Sequence, residues 1–155
     1  MDTTEQLVET GKQKGMHLLK SFRSTTPFAP GRRPFFKYRD LGLENATGGR
    51  MRAYHSTAIK GMVEPTGWHY HICEMQFVYV LKGTIVLEFE DGTVGTFTAG
   101  DSLFIPGGVH HNEIYASEDK ETLEVSVPGK IGTVNVERPA HLPEKLKAVS
   151  NEQPA

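Results

Sequence analysis

The sequence predicts an all-β domain, and three observations carry that reading. Sixteen glycines and nine prolines, roughly a sixth of the 155 residues, recur as punctuation between short apolar runs, the rhythm of many strands joined by turns. Within "TIVLEFE", Ile85, Leu87 and Phe89 alternate with Val86, Glu88 and Glu90, the period of a half-buried strand. Asp91-Gly92 follows at once, a pair that favours a tight hairpin turn.

The elements follow in chain order. Residues 3–22 read as a helical arm: Asp2 and Glu5 suit a capping box, and Leu7, Val8, Leu18, Leu19 and Phe22 fall on one stripe. Gly11 and Gly15 weaken it, each by about 1 kcal/mol relative to alanine. Residues 23–34, with Pro27, Pro30, Gly31 and Pro34, form a linker. Strands are expected near 35–40, 51–59, 66–71, 76–82, 84–90, 93–98, 102–105, 110–116, 121–127 and 132–137. From Pro139 the chain turns polar, which predicts a turn, a helical piece and a loose tail. The organisation is thus an arm and linker over 1–34, a β-domain over 35–137 and a tail over 138–155.

Composition narrows the function classes. The formal net charge of −2 gives no reason to expect nucleic acid or an anionic membrane as partner. A single cysteine, Cys73, excludes an intrachain disulfide and fits the reducing cytoplasm. An acidic N-terminus without a long apolar run offers neither a signal peptide nor a membrane span. The expectation is a cytoplasmic protein with a small-molecule partner.

The chemistry concentrates in "GWHYHICEMQFVYVLKG" and "GDSLFIPGGVHHNEIY". His69 and His71 stand two apart, so on a strand both imidazoles leave the same face. Two imidazoles on one face can bind a divalent metal if further ligands come from elsewhere. Gln76 and Gly83 follow the first pair; Gly100, Pro106, Gly108 and His111 follow in the second stretch. This order and spacing resembles the two motifs of the cupin superfamily: His-x-His, then a Glu and a Gly, followed by Gly, Pro-x-Gly and His. The resemblance implies a double-stranded β-helix, or jelly-roll, barrel with a divalent metal in its wider mouth, in a small single-domain protein that forms a homodimer. It places the ligand set on His69, His71, Gln76 and His111.

Two departures stand out. The glycine commonly found six residues before the first histidine is Val63 here, and the glutamate slot holds Gln76. An amide oxygen can coordinate but brings no charge, so such a centre keeps the full charge of the ion, acidifies bound water and favours anionic ligands. The alternative is that Gln76 swings aside and water replaces it. Glu113 and Tyr115 share strand parity with His111 and are the candidates for proton transfer. His110 has the opposite parity and belongs to the rim; Glu74 and Cys73 sit in a turn as bystanders.

What the site does is open at this stage, because fold and motif do not fix a reaction. The first expectation is a non-haem metal-dependent dioxygenase, with iron ahead of zinc, nickel, manganese or copper. A three-histidine ion leaves positions for substrate and O₂. The alternatives are a Lewis-acid isomerase, cyclase or lyase, which the neutral Gln76 favours, and a small-molecule binding protein without turnover.

Overall fold

The computed structural model describes residues 8–31, 33–62 and 64–151. Twelve strands and one short helix follow in order: β1 (Ala29–Pro30), β2 (Phe36–Asp40), α1 (Leu43–Ala46), β3 (Arg52–Ala58), β4 (His69–Ile72), β5 (Met75–Lys82), β6 (Thr84–Phe89), β7 (Thr93–Thr98), β8 (Ser102–Pro106), β9 (His111–Ala116), β10 (Glu121–Val127), β11 (Gly132–Asn135) and β12 (Lys147–Ser150). They form two six-stranded sheets, the first ordered β1-β2-β3-β10-β5-β8 and the second β11-β4-β9-β6-β7-β12. Every pairing is antiparallel except β12 with β7, which is parallel.

Strand alternation builds the core. Val80 is 1 % exposed while its neighbours Tyr79 and Leu81 are 38 % and 47 % exposed, so β5 turns one face inward and one to solvent. Phe35, Phe36, Val80, Ile85, Leu87 and Ala116 fill the space between the sheets, with Val78, Phe97 and Leu103 packed against them. The turn at Gly83 (φ +76) needs glycine: an added Cβ would lie 2.9 Å from the Lys120 Cα and 2.4 Å from the Ser117 hydroxyl.

Two expectations fail at the ends of the chain. Residues 8–22 are not helical: a turn covers 11–15 and irregular chain follows, while residues 3–7 of the expected helix lie outside the described residues. Gly15 sits at φ +83, and Leu18 and Phe22 are 82 % and 60 % exposed. Val8, Leu18 and Phe22 thus stay in solvent and, among the described residues of the stripe, only Leu19 packs, against Gly42; a short helix with so little packing is marginal in water. At the other end, the expected helical piece is replaced by burial of Leu142 and Leu146 against Trp68, which forms a second small core. Lys147–Ser150 then extends the second sheet as β12. The i, i+4 spacing of the two leucines mimics a helical stripe, but Pro143 between them and the open sheet edge favour extended chain.

No helix among the described residues is long and apolar enough to cross a membrane.

Candidate metal centre

The centre is built by two turns stapled together. His69 and His71 are buried on β4 while Ile72, of the opposite parity to His71, is 62 % exposed. The chain then turns at Cys73-Glu74 into β5. The Pro106-Gly107-Gly108 turn docks against it: the Gly107 amide donates to the Glu74 carbonyl at 3.0 Å and the Gly108 amide to the His71 carbonyl at 3.0 Å. A Cβ on Gly107 would fall 1.7 Å from the Cys73 carbonyl oxygen, so only glycine permits this approach. The turn feeds β9, whose first residue His111 pairs directly with His69.

Three imidazoles converge as a result. Each of His69, His71 and His111 offers a ring nitrogen, and the three atoms lie within 4.8 Å of one another, all in buried residues. Their orientations are fixed from behind. The His69 Nδ1 lies 2.7 Å from the Gly67 carbonyl oxygen and the His111 Nδ1 2.9 Å from the Val109 carbonyl oxygen. A carbonyl only accepts, so both rings carry their proton on Nδ1 and present a lone pair at Nε2. The His71 Nδ1 lies 3.0 Å from the Thr133 hydroxyl on β11. Burial also holds the His111 imidazole below its ordinary protonation range, ahead of the opposing effect of the Val109 carbonyl. Neutral, convergent, externally hydrogen-bonded imidazoles are the donor set a divalent transition ion requires, so these residues fit a metal, and they could hold one.

Gln76 faces the same interior cavity, of about 90 Å³, which is also lined by Val78, Leu87, Glu113, Lys120 and Glu124. A wider space of about 410 Å³ opens beside it, sharing Tyr38, His71, Gln76 and Glu124 and adding Arg52 and Tyr54. Glu113 is held by its backbone: its amide donates to the Thr66 hydroxyl at 3.1 Å and its carbonyl accepts from the Thr66 amide at 2.9 Å. Burial pushes its carboxyl up to about 7, against the lowering influence of Lys120.

Tyr115 departs from expectation. The β6–β9 pairing shifts register between Val86, opposite Tyr115, and Leu87, opposite Glu113. Ile114 is thus an extra residue on β9, and a bulge of this kind reverses strand parity. Ala116 turns inward at 0 % exposure and Tyr115 outward at 46 %, so Tyr115 is no part of the cavity lining. His110 stacks on Tyr70 at 5.1 Å outside the trio. Cys73 is half-buried, and burial raises its thiol above the ordinary range; Glu74 is exposed.

Sequence reasoning missed three residues. Thr133 was read as one strand position among many. Glu124 is a glutamate on a strand that pairs on both sides. Lys120 lies in "SEDKE", which looks like a solvated charged turn, yet it is 2 % exposed. Its Nζ donates to the Ser56 hydroxyl at 2.6 Å, sits 3.8 Å from the Phe36 ring centre and lies 3.7 Å from the Glu124 carboxylate. The Thr122 and Glu124 side chains line the same cavity, which only the folded chain reveals.

Fold and site together define a β-barrel protein with an internal three-histidine centre. Residues 60–127 match the family model of the cupin domain, a stretch that holds all three histidines and Gln76. None of the curated proteins matches it in sequence. Among solved structures, the polyketide cyclase RemF from Streptomyces resistomycificus superposes with a TM-score of 0.63 at 19% identity, covering 80% of this chain and 89% of that one. A sugar phosphate isomerase of the cupin superfamily from Silicibacter pomeroyi gives 0.58 at 18% identity, covering 77% and 82%. Oxalate decarboxylase from Bacillus subtilis gives 0.55 at 18% identity, covering 78% of this chain and 34% of that one. At these identities the likeness concerns the fold.

Proposed function

We propose that this protein is a metal-dependent isomerase, cyclase or lyase acting on a small, oxygen-rich anionic molecule without net oxidation. The observation that carries the reading is the buried trio of His69, His71 and His111, oriented from behind and opening onto a cavity whose facing sheet offers a neutral amide. His69, His71 and His111, with Gln76 as a further donor, would hold a divalent ion, which would supply Lewis-acidic charge to a substrate oxygen.

The chain's own groups do the rest. Glu113, fixed at its backbone by Thr66, stands in the cavity as the carboxyl group that takes or returns a substrate proton. Val78, Leu87 and Leu103 wall the site with apolar surface, which excludes bulk water and strengthens the remaining polar contacts. Arg52 and Tyr54 line the outer space, where a cation and a ring edge meet the body of the substrate.

The dioxygenase expected first from the sequence is the rival. Its support is the open positions at a three-histidine ion; against it, an uncharged Gln76 disfavours an oxidised iron state. The three quoted neighbours are called a cyclase, an isomerase and a decarboxylase, which accords with the redox-neutral reading. The test is incubation of metal-loaded protein with hydroxy acids, keto acids and cyclic sugars acids in D₂O, with and without O₂, followed by NMR. The expected result is metal-dependent deuterium incorporation or rearrangement that proceeds without O₂ and is lost in His69→Ala. Turnover that consumes O₂ in proportion to product replaces this reading with the dioxygenase. Ligand binding without any turnover replaces it with a binding protein.

A further inference from the structure

We propose that Lys120 is the second anchor of the cavity, binding an anionic oxygen of the substrate at the end remote from the three histidines. The substrate class is then a short molecule with oxygens at both ends, such as a dicarboxylate or a hydroxy or keto acid of similar length. The proposal deepens the metal-site reading above and rests on it for the substrate's other end.

The argument starts from cost. A lysine ammonium at 2 % exposure has lost nearly all its hydration, which costs several kcal/mol unless other contacts replace it. The replacement here is partial. An ammonium has three N–H donors, and among the described residues the Ser56 hydroxyl at 2.6 Å is the acceptor within hydrogen-bond range. The Phe36 ring takes the cation on its face at 3.8 Å. The Glu124 carboxylate, at 3.7 Å, balances charge from beyond hydrogen-bond distance. The side chain is also not sealed in packing: Lys120, Ser56's strand partner Thr122, and Glu124 all border the cavity that His69, His71 and His111 line. A desolvated cation with unspent donors, at the wall of a cavity, suits an anionic oxygen.

Sheet register gives the spacing. On the first sheet Gln76 pairs with Ser126, and Val78 pairs with Glu124. The ammonium, bonded to Ser56 opposite Thr122 and beside Glu124, therefore lies one to two two-residue rows deeper than Gln76, roughly 7–13 Å along the strand. A ligand touching both levels needs its oxygens at opposite ends of a short carbon chain, at least about four to six bonds apart, the range that malonate to glutarate spans. The cavity of about 90 Å³ admits such a ligand end-on, with the wider outer space taking whatever is attached. A purely structural lysine, neutralising Glu124, predicts no such length preference.

The test uses full-length protein and calorimetric titration with malonate, succinate, glutarate and the neutral control succinamide. Zinc-loaded wild type is expected to bind one dicarboxylate of the series best and succinamide at least tenfold more weakly. Lys120→Met alone strands the Glu124 carboxylate, so the diagnostic variant is Lys120→Met with Glu124→Gln, which removes both charges. It is expected to lose at least tenfold in affinity for the preferred dicarboxylate while its zinc affinity stays within twofold of wild type. Equal dicarboxylate binding by wild type and double variant overturns the proposal, as does failure of all three anions to bind wild type. Independently of any variant, the Lys120 Nζ resonance in wild type should shift on adding the preferred dicarboxylate, and an unmoved resonance overturns the proposal as well. Zinc titration of metal-free wild type separates the two readings: Lys120-dependent dicarboxylate binding by a protein that takes up no added zinc at the histidines sinks the metal reading and leaves the anion site standing.

Discussion

The two sheets that face each other across the cavity are prepared in different ways. The second sheet and its turns supply His69, His71 and His111, each with Nδ1 tied to a carbonyl or hydroxyl behind it. The first sheet and the turn leading into it supply Gln76, Glu124 and Lys120, whose charged members meet at 3.7 Å rather than in a close pair. One side is pre-oriented, so the entropy of arranging three ligands is spent during folding. The other side is polar and loosely satisfied, so it can exchange its contacts with a ligand. Metal binding should depend on the first property and choice of substrate on the second. The variants below separate them.

The largest effect should come from the pre-oriented side. His111→Ala removes one of three convergent imidazoles and should lower zinc affinity beyond the about 10–100-fold that losing an outer hydrogen-bond partner costs. Competition with a chromophoric chelator measures it; affinity within tenfold of wild type would mean the trio is not the metal site. Thr133→Val tests the preparation itself. It keeps shape but removes the hydroxyl 3.0 Å from the His71 Nδ1, and should cost about tenfold in zinc affinity with little change in melting temperature. If affinity is untouched, the second sheet holds its imidazoles by packing alone.

A smaller effect concerns a cavity carboxyl on the second sheet, Glu113 of β9. Folding raises Glu113 from an ordinary 4.5 to about 7 through burial, so the folded state disfavours its charged form. Below the ordinary value both folded and unfolded chains are protonated and nothing is lost. Between 4.5 and about 7 the unfolded chain ionises first, and stability falls as pH rises, with the full cost present above that window. In the metal-free proteins His111, held below its ordinary range, acts in the opposite direction in wild type and Glu113→Gln alike, so the Glu113 effect is read from their difference: Glu113→Gln should gain melting temperature relative to wild type on going from pH 5 to pH 8. Parallel pH profiles for the two proteins would remove the buried carboxyl from the account.

The contrast between the sides also explains what was legible in the sequence. The trio was readable because local rules place it: i, i+2 spacing aims His69 and His71 together, and Pro106-Gly107-Gly108 marks the turn that delivers His111. Strand positions from β2 to β11 followed from alternation and turn residues in the same way. Tyr115 was misplaced because the bulge at Ile114 depends on how β9 registers with β6, a tertiary choice. Lys120 was passed over because nothing local distinguishes a charged turn whose lysine folds back under a phenylalanine from one that stays in water. The N-terminal arm and the C-terminal segment misled for a related reason: spacing proposes a helix, but burial decides, and Leu18 finds no partner while Leu146 finds Trp68.

Gln76 is where the two sides meet, and its variants should give the smallest and most discriminating changes. It stands on β5 of the loosely satisfied sheet, paired with Ser126 and Ile105, yet lines the same cavity as the imidazoles. If its oxygen is a donor, Gln76→Ala should weaken zinc by less than about tenfold, or 1.4 kcal/mol, because three histidines remain. Gln76→Glu should act in opposite directions on the two functions. A carboxylate facing the ion in a cavity that screens less than water strengthens the metal and repels an incoming anion. Zinc should bind more tightly and dicarboxylates more weakly than in wild type, measured by chelator competition and calorimetry on the same preparations. If all three proteins bind zinc and anions alike, Gln76 points away from the ion and water takes its place. The charge of the centre would then be set by the histidines alone, and the neutral amide would no longer argue for redox-neutral chemistry.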